Sequence, residues 1–139
     1  MGFAVFHIEK GKGNGSSIGS HIDREIGREY TYHNADPNRR DLNQHFDITK
    51  YSTMPLAQAI NERIAEGYTG VKAIRKDAVK YLSIVMTGTH ENMADIFADQ
   101  KKKKDWIQAN YQYAAQEFGK ENILRFSLHM DEKTPHIHL

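Results

Sequence analysis

His129-Met130-Asp131-Glu132-Lys133-Thr134-Pro135-His136-Ile137-His138-Leu139 is the stretch from which the fold is read. His136 and His138 stand two residues apart with apolar Ile137 between them. On a strand that spacing puts both imidazoles on one face and Ile137 on the other. The preceding run, 123–130, alternates in the same way: Leu124, Phe126 and Leu128 on one face, Arg125, Ser127 and His129 on the other. A short turn containing Pro135 joins the two segments. The sequence therefore predicts paired strands whose polar face carries His129, His136 and His138. Three neutral imidazoles converging on one point make a metal site with open positions, the layout of a catalytic centre rather than a closed structural one. Glu132, in the turn, is left with three roles: a fourth ligand, an orienting partner for an imidazole, or a base.

Outward from that stretch, two more strands alternate. Residues 3–9 place Ala4, Phe6 and Ile8 on one face and Phe3, Val5, His7 and Glu9 on the other; residues 79–87 turn Leu82, Ile84 and Met86 inward. Ser16 or Ser17 caps a helix running to about Gly27, with the stripe Ile18, Ile22, Ile26 and with His21, Arg24 and Arg28 sharing the adjacent face. Tyr30 to Ser52 is polar and turn-rich and reads as a long surface excursion. Pro55 opens a helix with stripe Leu56, Ile60, Ile64, stopped by Gly67. Asn92 to Phe118 is the longest helix, with a break near Lys101 and an end at Gly119. The order β, α, loop, α, β, α, β, β predicts one α+β domain over residues 1–139, a mainly antiparallel sheet with helices packed on one face. Because the chain stops one residue after His138, in mid-strand, it is expected to be the N-terminal part of a longer protein.

Composition narrows the function. The chain has 139 residues, 39% of them hydrophobic, and a formal net charge of +1. Nucleic-acid binding, if present, must come from local basic patches. No apolar run approaches the ~20 residues of a membrane helix. Cysteine is absent, which excludes disulfides and thiolate metal sites and fits the cytoplasm. Imidazoles and a carboxylate around an open divalent ion suit polarisation of a phosphodiester. Attack then comes from water or from a side chain, the latter giving a covalent intermediate. The four lysines Lys101 to Lys104 read first as a solvated helix face.

His-hydrophobic-His on a strand resembles the signature of the HUH endonucleases. More specifically, His129-x-Asp-Glu-x-Thr-Pro-His-x-His resembles the third motif of MobV-type (Mob/Pre) plasmid mobilisation relaxases. Ser20-His21-Ile-Asp-Arg24 is similar to that family's first motif, Asp36-Pro37-x-x-Arg40-x-Leu42-Asn43 to the segment after it, and Ala73-Ile-Arg75-Lys76-Asp77-Ala-Val to its basic motif. The four lie in family order along nearly the whole chain. The resemblance implies an HUH relaxase fold, a ferredoxin-like variant, and site- and strand-specific nicking and joining at a plasmid origin of transfer. The cofactor implied is a divalent ion, Mn2+ or Mg2+, held by His129, His136 and His138. The implied nucleophile is His21, with Glu132 as a further catalytic residue. Arg24, Arg28, Arg40, Arg75 and Lys76 are expected on DNA. The expected partners are origin DNA and a coupling protein of the transfer machinery. Gln44 stands where some relatives carry tyrosine, which leaves Tyr30 and Tyr32 as the rival nucleophiles. An HUH replication initiator or transposase, a cupin-like metal site and a non-catalytic DNA-binding domain are the alternatives. A cupin would need its glutamate after the histidine pair and an all-β pattern.

Overall fold

The computed structural model describes residues 4–139. Phe3, placed on one face of the first strand, lies outside them. Five strands form one fully antiparallel sheet: β1 (Ala4–Gly11), β2 (Gln44–His45), β3 (Tyr81–Gly88), β4 (Ser127–His129) and β5 (His136–His138). Their spatial order is β1-β3-β5-β4-β2. The His-Ile-His strand is thus the middle of the sheet. Leu139 continues it, exchanging two backbone hydrogen bonds with Ile84 at 2.8 and 2.9 Å.

Register sorts the faces. Leu128 stands opposite Ile137, and Ile137 opposite Met86; these residues, with Ile84, Ile123 and Phe126, form the main core under Ala114. On the other face His129 stands opposite His136, while His138 lies between Ser127 and Val85. One shift of register would turn the histidines into the apolar core and Leu128 and Ile137 onto the histidine face, so the apolar alternation and the site specify each other.

Among the described residues there are four α-helices: α1 (Ser16–Asp23), α2 (Leu56–Gly67), α3 (His90–Ala98) and α4 (Gln100–Phe118). The expected break in the long helix falls at Asp99, whose side chain accepts from the amides of Lys101 and Lys102 and caps α4. Gly119, at φ 86°, ends α4 in a conformation that only glycine adopts freely. The expected packing on one face holds for α4, which lies on the Leu128–Ile137–Met86 side. The structure adds α1 on the opposite face, where Ile22, Leu56 and Ile60 form a second small core with Leu124 and Tyr81 against it.

Four expectations are corrected. The first helix ends at Asp23, not near Gly27. Arg24 follows it with φ 51°, held there by a buried ion pair, and Ile26 is 86% exposed rather than part of a stripe. The strand expected over 123–130 is regular only over Ser127–His129. Upstream, Leu124 packs against the second core while the Arg125 guanidinium turns inward to Asp23 and to the carbonyl of Tyr51, so the simple alternation breaks. The excursion 30–52 is not all surface loop. It supplies edge strand β2 and buries Tyr32 and Tyr51. Leu82, expected inward, stays partly exposed near the start of β3 beside edge strand β1.

Candidate metal centre

His129 sits on β4 with no measurable exposure. Its Nε2 lies 2.8 Å from the Ile22 carbonyl. A carbonyl only accepts, so Nε2 carries the proton and the buried Nδ1, which has no partner, presents a lone pair. His136 is fixed in the opposite sense. Its Nδ1 donates to the Thr134 carbonyl at 2.9 Å, leaving the Nε2 lone pair 3.2 Å from His138 Nε2. His21, in the last turn of α1, donates Nδ1–H to the Thr31 carbonyl, leaving its own Nε2 as the free nitrogen. Four side chains, His21, His129, Glu132 and His138, each offer a ligand atom within 4.8 Å of the others. His136 adjoins that set, since its Nε2 is 3.2 Å from Glu132 Oε2.

Burial and neighbouring charge keep the His129 and His138 rings neutral. Burial and then Arg24 push the His129 imidazole down to about 3. Burial and then the surrounding histidines push His138 down to about 2. The adjoining His136 ring, with Arg24 acting in the same direction, holds the Glu132 carboxyl at about 2. Neutral imidazoles with inward lone pairs beside an ionised carboxylate are the donor set a divalent cation needs. The orphaned Nδ1 of His129 and the opposed nitrogens of His136 and His138 fit a cation between them. An open cavity of about 350 Å³, lined by His21, Thr87, Glu132, Thr134, His136 and His138, gives access to this place.

A clamp of charged groups assembles the site from distant parts of the chain. Arg24, 4% exposed, donates Nε and Nη2 to the two oxygens of Asp131, Nη2 also to Glu132, and Nη1 to the His21 carbonyl. The excursion docks on the same turn: the Asp36 amide donates to the Asp131 carbonyl and the Met130 amide to Asn43 Oδ1. The Asp36-to-Asn43 motif thereby holds the turn that carries Glu132.

The expected DNA contacts separate into three groups. Arg24 is committed internally and has no open face for a phosphate. Arg28 and Arg40 are half-buried near the site, stacked over Tyr30 and Tyr32 at 5.3 and 5.1 Å, and each has a buried Nε without a partner. Arg75 and Lys76 lie apart, exposed in the loop before β3, with Arg75 paired to Asp77. Of the rival nucleophiles, Tyr32 is buried between Arg24 and Arg40 with its hydroxyl on the Glu25 carbonyl, and Tyr30 is exposed under Arg28. Two residues were missed from sequence. Asp131 is the buried anchor of the clamp; its only signal was a second acid beside Glu132. His45, on β2, bonds Ser127 Oγ through Nδ1 and lies 6.2 Å from the His129 ring; it had been hidden in the excursion.

A family model described as plasmid recombination enzyme (Mob_Pre) matches residues 1–139. The plasmid recombination enzyme type 3 of Staphylococcus aureus is 30% identical over 142 residues, which cover 99% of this chain and 33% of that protein. A 65 kDa protein of Zymomonas mobilis subsp. mobilis is 34% identical over 138 residues, 97% of this chain and 22% of its own length. The chain thus spans about a third or less of these relatives. Among solved structures, the Mn-bound MobM relaxase domain (MOBV; Mob_Pre) on plasmid pMV158 oriT DNA at pH 6.8 superposes with TM-score 0.81 and 25% identity, covering 98% of this chain and 68% of that one. Its Mn-bound form at pH 5.5 gives TM-score 0.79 and 26% identity over the same shares. No helix among the described residues is long and apolar enough to cross a membrane.

Proposed function

The chain belongs to the Mob_Pre family of plasmid recombination enzymes, and from that premise we propose that it nicks and rejoins one strand of a plasmid origin of transfer through His21. The hydrogen bond between His21 Nδ1 and the Thr31 carbonyl carries this reading. It fixes the tautomer whose Nε2 is a nucleophile, in a ring that shares one cluster with His129, Glu132 and His138. Nε2 attacks the scissile phosphorus, an N–P bond forms, and the bond from phosphorus to the 3′ oxygen breaks. That oxygen takes a proton from solvent. The Thr31 carbonyl continues to hold Nδ1–H as the ring becomes cationic. Attack by the 3′ hydroxyl on the phosphoramidate reverses the step and rejoins the strand.

His129, His136 and His138 would hold a divalent ion, which would supply Lewis-acid polarisation of a non-bridging phosphate oxygen. Mn2+ and Mg2+ both fit the open site, and three nitrogen donors favour Mn2+. Glu132 is too firmly ionised to be an effective base at neutral pH. Its Oε2, held by Arg24 and 3.2 Å from the His136 nitrogen, would instead stand beside the ion as an oxygen donor. Arg28 and Arg40, with unpartnered Nε groups, take phosphates flanking the nick. Within the full protein, in the bacterial cytoplasm, the partners are the origin strand and a coupling protein of the transfer machinery.

The test uses a fluorescent single-stranded origin oligonucleotide, with and without Mn2+, run on denaturing gels for wild type and His21→Ala. An acid-labile protein–DNA adduct that needs both the metal and His21 is expected. Cleavage that persists in His21→Ala moves the nucleophile to a tyrosine or water; tight binding without cleavage reduces the chain to a DNA-binding domain.

A further inference from the structure

The sheet face away from the histidines ends, beyond β2, in a groove of about 400 Å³ between that edge strand and α4. Its floor is apolar and aromatic: Phe46, Ile107 and Tyr111, with Phe126 beneath. Its rim carries Lys103 and Lys104; neither has an anionic partner among the described residues, although the Lys103 ammonium lies over the Phe97 ring at 5.5 Å, and by contrast Lys101, on the same helix, is paired with Asp105 at 2.8 Å. An unpaired cationic rim over an aromatic floor is the chemistry that binds a single nucleic-acid strand, with phosphates on the lysines and bases against the rings.

The groove and the metal centre lie on opposite faces of the sheet, and only the short edge strand β2 separates them on that side. His45 and Gln44 are neighbours on β2 and point to opposite faces. His45 stands beside Ser127 and His129 on the histidine face, and Gln44 lines the groove. A nucleic-acid strand leaving the centre past His45 would have only this two-residue edge strand to round before reaching Gln44.

We propose that this groove is a second single-stranded DNA subsite, which takes the nucleotides flanking the nick and is built by the lysine run together with β2. The proposal rests on the relaxase reading of the histidine centre and extends its substrate across the edge of the sheet.

The test measures binding of fluorescein-labelled oligothymidylates of graded length in Mn2+, by anisotropy across a salt series, and nicking of a short origin oligonucleotide. The variants are Lys103→Ala with Lys104→Ala, and Gln108→Glu, which sets a carboxylate in the groove from an exposed position. Lys101→Ala with Lys102→Ala removes the same charge outside it. For long oligonucleotides the groove variants are expected to lose about tenfold in affinity, and the double-lysine variant to lose about 1.4 from the salt slope, the share of two single-strand phosphate contacts. Short oligonucleotides are expected to bind and be nicked as by wild type. Equal losses at all lengths, equal losses in the Lys101/Lys102 control, or a wild-type affinity that does not rise with length each overturn the subsite. Failure of the relaxase reading shows separately, as absence of metal-dependent nicking of the short oligonucleotide by wild type.

Discussion

Arg24 and Asp131, separated by 107 residues, form a two-pronged buried ion pair, Nε to Oδ2 at 2.9 Å and Nη2 to Oδ1 at 2.8 Å. The pair joins the end of α1, which presents His21, to the turn that presents Glu132. Burial alone would disfavour both charges; the fork geometry and the additional bonds to the His21 carbonyl and Glu132 offset that cost. Arg24→Met leaves Asp131 buried and uncompensated. It is expected to destabilise the fold by about 3–5 kcal/mol. Arg24→Lys recovers little, since an ammonium cannot match two carboxylate oxygens in plane. Urea unfolding midpoints of the two variants check this, and a fully stable Arg24→Met would sink the clamp.

Acid should unfold the protein before its carboxylates are protonated. The folded His129 and His138 stay neutral down to about 3 and about 2. In the unfolded chain an imidazole takes up a proton near pH ~6.5. Below that value the unfolded state binds protons that the folded state refuses, so stability is lost as pH falls from ~6.5 towards the folded values. The pair accounts for about 2–3 kcal/mol between about pH 7.5 and about pH 5.5. Glu132 extends the loss in the same direction below its unfolded value. Urea denaturation at the two pH values tests the slope; equal midpoints would contradict neutral burial of the two rings.

The two-residue period of His136-Ile137-His138 made the centre of the sheet legible, because it encodes both faces of β5 at once. The stripe Leu56, Ile60, Ile64 made α2 equally plain. The first helix misled because Ile26 continues a period that the chain abandons at Arg24, where a tertiary ion pair outweighs local propensity. β2 was hidden because two residues carry no periodicity; Gln44 and His45 become a strand only by pairing with Leu128 and Ser127. The roles of Arg24 and Asp131 were illegible for the same reason, since a contact across 107 positions leaves no local mark.

Glu132 shares Oε2 between His136 Nε2 and Arg24 Nη2. Glu132→Gln preserves the shape of the turn and removes the charge. Metal affinity, measured by calorimetry with Mn2+, is expected to fall about 10–100-fold, with nicking falling in step at subsaturating metal. If nicking is lost at saturating Mn2+ while affinity is unchanged, Glu132 acts on the substrate and not on the cation.

Metal affinity and stability should respond differently to acid. Histidine sites ordinarily weaken as pH drops through ~6.5, because protons compete for the ring nitrogen. Here the folded His129 and His138 do not accept that proton until about 3 and about 2. At His129 and His138, two of the three proposed ligands, protons therefore compete poorly with a cation in the folded protein. Mn2+ affinity is expected to fall far less between about pH 7.5 and about pH 5.5 than the roughly thousandfold that three ordinary imidazoles would impose, even as the apo protein loses stability. At a free concentration of 100 times Kd the metal adds about 2.7 kcal/mol to the folded state, and part of that increment should persist at the lower pH. Thermal unfolding with Mn2+ and with a chelator, at each pH, separates the two effects. A metal increment that vanishes at the lower pH would mean that the ligand nitrogens titrate in the folded state, and would place the cation on a more exposed set of histidines.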